Sequence, residues 1–296
     1  MGDIVVLPFF QTALAASLVL AGIHTYLGYH VVRRGVIFVD LALAQMAALG
    51  VAVALVLHLE GNELAAYLLP LAMTFVGAVC FAWLRGQARR APLEAYIGIV
   101  FATAQALVFL VLEKQPAGPE HLKESLFGSL FTVAPQHVLY TAVLYAAVGV
   151  LHFVARRPLL AVTRNAAGAA RRGQRVFWWD LLFYSTFGLV VTSSVKIAGV
   201  LLVFGLLVIP AVAALTATGG VGRALAHGWV FGFVGCLVGL LGSAHFDAPA
   251  APAILVALTA LLVAQGVALA LVGRGRAALA AAPDEPGAEP EAVVQG

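Results

Sequence analysis

The chain has 296 residues, 62% of them hydrophobic and only 10% charged, with a net charge of +3 and a mean hydropathy of +0.99. A soluble domain carries roughly 25% charged residues, so the charges here are too few to coat a water-facing surface, and lipid must be the solvent for most of it. The basic balance does not point to nucleic acid, because the cations matter through where they fall along the chain.

Apolar stretches long enough to cross a ~30 Å hydrocarbon core occur near 5 to 32, 36 to 58, 64 to 84, 93 to 112, 138 to 155, 176 to 194, 198 to 218, 224 to 243 and 250 to 272. The expected fold is therefore an all-α, polytopic membrane helix bundle of about nine spans. Eight remain possible if one segment, around Ser125 to Pro135, is re-entrant. The first stretch lacks a basic flank and is too long for a signal-peptide core, so it reads as a retained helix.

All arginines fall in alternate loops: Arg33 and Arg34; Arg85, Arg89 and Arg90; Arg156, Arg157, Arg164, Arg171, Arg172 and Arg175; Arg223; Arg274 and Arg276. The intervening loops carry Glu60, Glu63, Glu113, Lys114, Glu120, Lys123, Glu124, Lys196 and Asp247, with no arginine. By the positive-inside rule the N-terminus is expected outside and the C-terminus in the cytoplasm. Residues 1–276 then form the membrane domain, and the Pro- and Glu-rich 277–296 a disordered acidic cytoplasmic tail.

Ionisable groups inside spans are the first candidates for function, because hydrocarbon makes them expensive. Asp40 lies about two turns into the second span, with Gln45 a turn or so beyond. It reads either as part of a cation pathway, and so a candidate metal ligand, or as a cap or ion pair with Arg33 or Arg34. His24 offers an imidazole in the first span, as a ligand or as a hydrogen-bonding group to a neighbouring helix. His30, His58, His121, His137 and His152 lie at span ends or in loops and read as solvated. His245 and Asp247 stand at an outer mouth, to meet a cation or to cap the helix that starts at Pro249 and Pro252.

Three segments are packing devices. Gly228, Gly232, Gly235 and Gly239 fall at i, i+4, i+7 and i+11, a smooth stripe for close helix approach within the subunit or between copies. Pro210 sits deep in its span, where a proline frees a carbonyl and bends the axis. The loop 156–175 is the largest cytoplasmic segment, with Ala166 to Arg172 reading as a short helix that contacts lipid headgroups or docks a partner. Cys80 and Cys236 read as small core residues. No GxxxxGK[ST], HExxH, GxSxG or CxxC is present, so this chain reads as no enzyme, and any ATP would be hydrolysed by another subunit.

Arg33-Arg34 leading to Asp40 and Leu49-Gly50-Val51-Ala52, then Leu126-Phe127-Gly128-Ser129-Leu130 with Pro135, then Lys196-Ile197-Ala198-Gly199 through Ile209-Pro210-Ala211 and Phe246-Asp247-Ala248-Pro249, together resemble one family. It is the membrane-spanning permease subunit of ABC importers for zinc, manganese and iron. The resemblance implies a homodimeric permease of a bacterial inner membrane, a cytoplasmic ABC ATPase that binds ATP, an extracytoplasmic metal-binding protein and a divalent metal as substrate, with no cofactor on this chain. It places the coupling helix at about Thr163 to Gly173, including Arg164, Arg171 and Arg172, and favours docking there over lipid contact. It also exposes a departure, since the Asp-x-x-x-His pair of many members is lacking. Asp40 and Gln45 are i, i+5, about 140° apart on a helix, so the usual metal site is altered or absent: either selection for zinc weakens relative to harder ions such as manganese, or the substrate is a chelate or something other than a bare ion. A stand-alone secondary transporter or channel, or a membrane scaffold, is the rival reading.

Overall fold

The computed structural model describes residues 6–59, 62–87, 91–113 and 126–280. Ten α-helices follow in order: α1 Pro8–Arg34, α2 Val39–Val56, α3 Glu63–Gln87, α4 Leu93–Leu112, α5 Pro135–Val154, α6 Arg156–Arg164, α7 Ala166–Arg171, α8 Val176–Ala217, α9 Val221–Phe246 and α10 Ala250–Ala280, with a single 3₁₀ turn at Leu130–Thr132. All but α6 and α7 are long and apolar enough to cross a membrane. Lipid supplies no partners for backbone groups, so a spanning segment must satisfy its own. Serine and threonine side chains inside the helices do likewise, as when Ser17 donates to the Ala13 carbonyl at 2.7 Å and Thr74 to that of Pro70 at 2.7 Å.

Helix ends follow local chemistry. Pro8 and Pro135 occupy first-turn positions, where a missing N–H costs nothing. Gly35 ends α1 at φ +66°, returning its N–H to the Val31 and Val32 carbonyls. Asp247 closes α9 in the left-handed region at φ +51°. It is therefore the C-terminal cap of α9 rather than an N-terminal cap for the helix after Pro249, and it is exposed.

At 42 residues α8 is twice the length one crossing needs. Its backbone leaves helical geometry at Gly199 (φ +72°, ψ +160°), dividing it into segments 176–198 and 200–217. Packing partners give the direction of each. Asp180 meets Arg34 and Phe183 meets His30, so the first segment runs antiparallel to α1. Gly205 faces Leu255 and the Ala213 carbonyl accepts from Gln265, so the second runs parallel to α10. Helix α10 is antiparallel to α9 (Gly239 with Ile254, His227 with Gln265), and α9 is antiparallel to α1 (Cys236 with Ser17, Gly228 with Thr25). The two halves of α8 thus traverse the bundle in opposite senses, and eight helical elements make nine crossings. The break falls at Gly199 and not at Pro210, whose residues keep helical angles and whose ring packs beside Gly232.

Helices α1 and α8 form the centre, where Leu20, Leu27, Phe183, Phe187, Leu202 and Leu206 are fully buried. The glycine stripe of α9 serves the inside of the subunit. Gly228 and Gly232 lie against Thr25, Ala21 and Pro210, whereas Gly235 and Gly239 admit Leu258 and Ile254 of α10. Cys236 is buried in the same seam, its Sγ 3.7 Å from the Ser17 carbonyl oxygen. Helix α10 continues to Ala280, past the expected start of a disordered tail at 277, and the rest of that tail, from 281 onward, lies outside the described residues.

Candidate functional site

The two segments flanking the break at Gly199 and the Leu126-Phe127-Gly128 turn meet face to face. A β-carbon at Gly128 would overlap the backbone of Ala198 and Gly199, and one at Gly199 would overlap Leu126, Phe127 and Gly128. Both glycines have positive φ, so each is required twice, for its angle and for its lack of a side chain. Ser129 donates its N–H to the Ile197 carbonyl at 3.0 Å, so a carbonyl beside the break finds its partner in the other segment. The following 3₁₀ turn reaches the start of α1, with Phe131 edge-on to Phe9 at 5.8 Å.

Beside this wedge lies a cavity of about 480 Å³ between α2, α3, α4 and the first half of α8. Its wall is largely apolar, with Ala44, Ala48, Val51, Pro70 and Val108; its polar groups are Gln45, Gln105, Thr192 and Lys196. Thr192 shares a 3.1 Å hydrogen bond with Thr74, and the Lys196 ammonium sits 5.7 Å from the centre of the Tyr67 ring.

Of the residues anticipated for the substrate path, only Gln45 lines the cavity. Asp40 is fully buried, and neither carboxyl oxygen has a hydrogen-bond partner. It makes no ion pair with Arg33 or Arg34, since Arg34 is engaged elsewhere. His24 is buried in α1, with Nδ1 2.8 Å from its own helix's Leu20 carbonyl, Nε2 unpartnered and the ring edge-on to Tyr145. Among the described residues no three His, Cys, Asp or Glu side chains converge as a metal cage.

At the arginine-bearing end stands a second cluster. Arg34, with no exposed side-chain surface, donates from Nη1 to Asp180 at 2.6 Å and stacks 4.0 Å from the Phe183 ring centre. Arg85 reaches the same carboxylate at 3.3 Å. Asp180 stands outside the expected site, although an acidic residue in an apolar run carries the same signal as Asp40. His30 and His152, expected at solvated span ends, are buried instead. Nδ1 of His30 lies 2.7 Å from Thr163 Oγ1, and His152 spans Tyr26 (3.3 Å) and Thr186 (2.7 Å). His30 is enclosed by Thr163 of α6 and Phe183 of α8, and His152 by Tyr26 of α1 and Phe183 and Thr186 of α8.

The loop 156–175 is almost wholly helical, as α6 and α7. Asn165 caps α7 by accepting the Gly168 N–H at 2.8 Å. Arg164, Arg171, Arg172 and Gly173 are exposed, whereas Thr163 is buried.

The sequence profile of the ABC 3 transport family matches residues 6–269. The "Probable iron transport system membrane protein" of Haemophilus influenzae is 26% identical over 81% of this chain and 86% of its own length. The manganese transport system membrane protein MntC of Halalkalibacterium halodurans is 25% identical, covering 85% and 84%. The high-affinity zinc uptake system membrane protein ZnuB of H. influenzae is 25% identical, covering 82% and 91%. The fold is similar to that of PsaBC from Streptococcus pneumoniae in complex with Fab, with TM-score 0.73 and 20% identity over 89% of this chain and 93% of that one.

Proposed function

The chain belongs to the ABC 3 transport family, and on that premise we propose that it is the permease subunit of an ATP-driven importer of a divalent transition metal: zinc, manganese or iron. Two copies of the chain form the channel in a bacterial plasma membrane. A cytoplasmic ABC ATPase docks on α6 and α7, and an extracytoplasmic binding protein delivers metal at the opposite end. The N-terminus is outside and the C-terminus inside, with 277–296 as a cytoplasmic tail. This subunit binds no cofactor and hydrolyses nothing itself.

The observation that carries the reading is the cavity at Gln45, set beside the wedge of Leu126 to Gly128 on the α8 break. A broken helix held by another backbone segment is a place where two rigid halves can change angle without unravelling either, which alternating access needs. Gln45, Thr192 and Lys196 line the path, whereas Asp40, His24 and Asp247 stand outside this cavity. Arg164, Arg171, Arg172 and Gly173 present the docking face.

A second reading, a metal carried as an anionic chelate, is favoured by the cavity itself. Its volume lies in the range of small-molecule pockets, roughly 300–1,000 Å³, and its polar groups are two amides, a hydroxyl and an ammonium. Soft or borderline ions select imidazole and thiolate, and harder ions carboxylate.

Reconstitution with the ATPase and the binding protein, followed by ATP-dependent accumulation of zinc, manganese and iron in vesicles, tests the proposal. Accumulation of one ion, altered in Gln45→Ala, is expected. An intact, ATP-hydrolysing complex that accumulates none refutes bare-ion transport.

A further inference from the structure

The α6–α7 hairpin shows solvent its arginines but turns Leu159, Val162 and Thr163 inward, all three buried and on one face at i, i+3 and i+4. The Thr163 hydroxyl is the only side-chain polar group of these three, and it makes two hydrogen bonds. It accepts the Nε–H of Arg34 at 3.0 Å and shares a 2.7 Å hydrogen bond with Nδ1 of His30. Both partners belong to α1, about 130 residues earlier in the chain. Arg34 then passes the connection to Asp180 of α8, and Asp180 to Arg85 of α3.

The covalent route from the hairpin into the membrane is separate from this cluster, and at Ala155 it is itself hydrogen-bonded, the N–H to the Leu151 carbonyl and the carbonyl to the Leu159 N–H. It leads to α5 through Ala155 and to α8 through Gly173, which has φ +79° and nothing within 4 Å of where a β-carbon would stand. A shift of α6 relative to α1 would take the Arg34 Nε–H off its acceptor in a place with no exposed side-chain surface, where losing a charged hydrogen bond is costly. Apolar contacts at Leu159 and Val162 tolerate sliding; a hydroxyl clamped between a guanidinium and an imidazole does not. Asn165, two residues on, ties α7 to α6 through its cap, so the hairpin moves as one body.

We propose that Thr163 is the positioning residue that locks the docking hairpin to α1, α3 and α8, so that hairpin motion reaches the membrane helices through the Arg34–Asp180–Arg85 cluster. The proposal rests on the reading of the chain as an ATP-driven permease.

The test uses the full complex with its ATPase and binding protein in vesicles, with zinc, manganese and iron as the probes. Metal moved per ATP hydrolysed is compared for wild type, Thr163→Val, Thr163→Ser, His30→Leu and His30→Gln. Thr163→Val and His30→Leu are expected to assemble and hydrolyse ATP while the ratio falls about tenfold, a size usual for coupling between sites. Thr163→Ser and His30→Gln, which keep a hydroxyl or an N–H in place, restore it. An unchanged ratio in Thr163→Val overturns the proposal. So does a loss of transport and hydrolysis in proportion, or failure of both apolar variants to yield a folded complex, since either leaves the cluster merely structural. If the wild-type complex hydrolyses ATP but moves no metal, the importer reading fails and takes this proposal with it.

Discussion

Substituting Gly128 by alanine probes the contact on which the nine-crossing fold turns. Three costs add at that position. A β-carbon at φ +65° is disfavoured by about 1–2 kcal/mol. The same carbon would stand 2.7 Å from the Ile197 carbonyl oxygen and closer still to the backbone of Ala198 and Gly199, and overpacking of this kind costs about 1–3 kcal/mol. Backing away stretches the Ser129 N–H to Ile197 bond, a further loss of about 1 kcal/mol. The total is about 3–6 kcal/mol, measurable as denaturant-induced unfolding in detergent micelles followed by tryptophan fluorescence. Gly149→Ala is the control, because that glycine lies inside α5 with open space around it, and alanine there gains about 1 kcal/mol of helix propensity. Gly199→Ala is expected to cost a similar amount to Gly128→Ala. The double variant should cost less than the sum, since one displacement relieves both clashes. If Gly128→Ala unfolds like Gly149→Ala, the wedge does not hold the break and the argument is wrong.

Asp180→Asn leaves Arg34 and Arg85 without a counter-ion, one of them fully buried, and should destabilise the fold by about 3–5 kcal/mol. Arg85→Met in the same background should recover part of this loss in the same unfolding assay. Gly239→Leu forces a side chain into the Ile254 backbone and should cost at least about 1–3 kcal/mol, with loss of a disulfide engineered between α9 and α10 as a second readout. Gly242→Ala, with nothing within 4 Å of its β-carbon, should instead gain about 1 kcal/mol of helix propensity. For topology, an Arg171→Cys variant should react with an impermeant thiol reagent only from the cytoplasmic side, and labelling from outside would invert the orientation proposed.

Hydrophobicity and charge are properties of a stretch of chain, so the sequence by itself determined what depends on them: a helical membrane protein, the approximate bounds of its apolar runs and the sorting of the arginines. The two crossings of α8 were legible as separate apolar runs because each is long enough to span, even though the single residue Gly199 separates them. Motifs also located the parts that matter, since Leu126-Phe127-Gly128 and Lys196 to Gly199 were both marked. That they touch is a tertiary fact, created by two glycines about 70 positions apart whose missing β-carbons let backbones meet.

Tertiary structure alone decided rotation. In a helix apolar all round, sequence gives little sign of which face turns inward, and the choice between Asp40 and Gln45 rests on the angle α2 adopts against α3 and α4. Packing put Gln45 in the cavity wall and enclosed Asp40 away from it. The same freedom hid the Arg34–Asp180–Arg85 cluster, whose members lie on three helices and come together only when those helices are docked. It also brought the expected solvent-facing histidines 30 and 152 inside. Distance along the chain and hydropathy carry no record of such pairings; they are fixed by shape, because close packing is what selects one arrangement when every face is equally welcome in lipid.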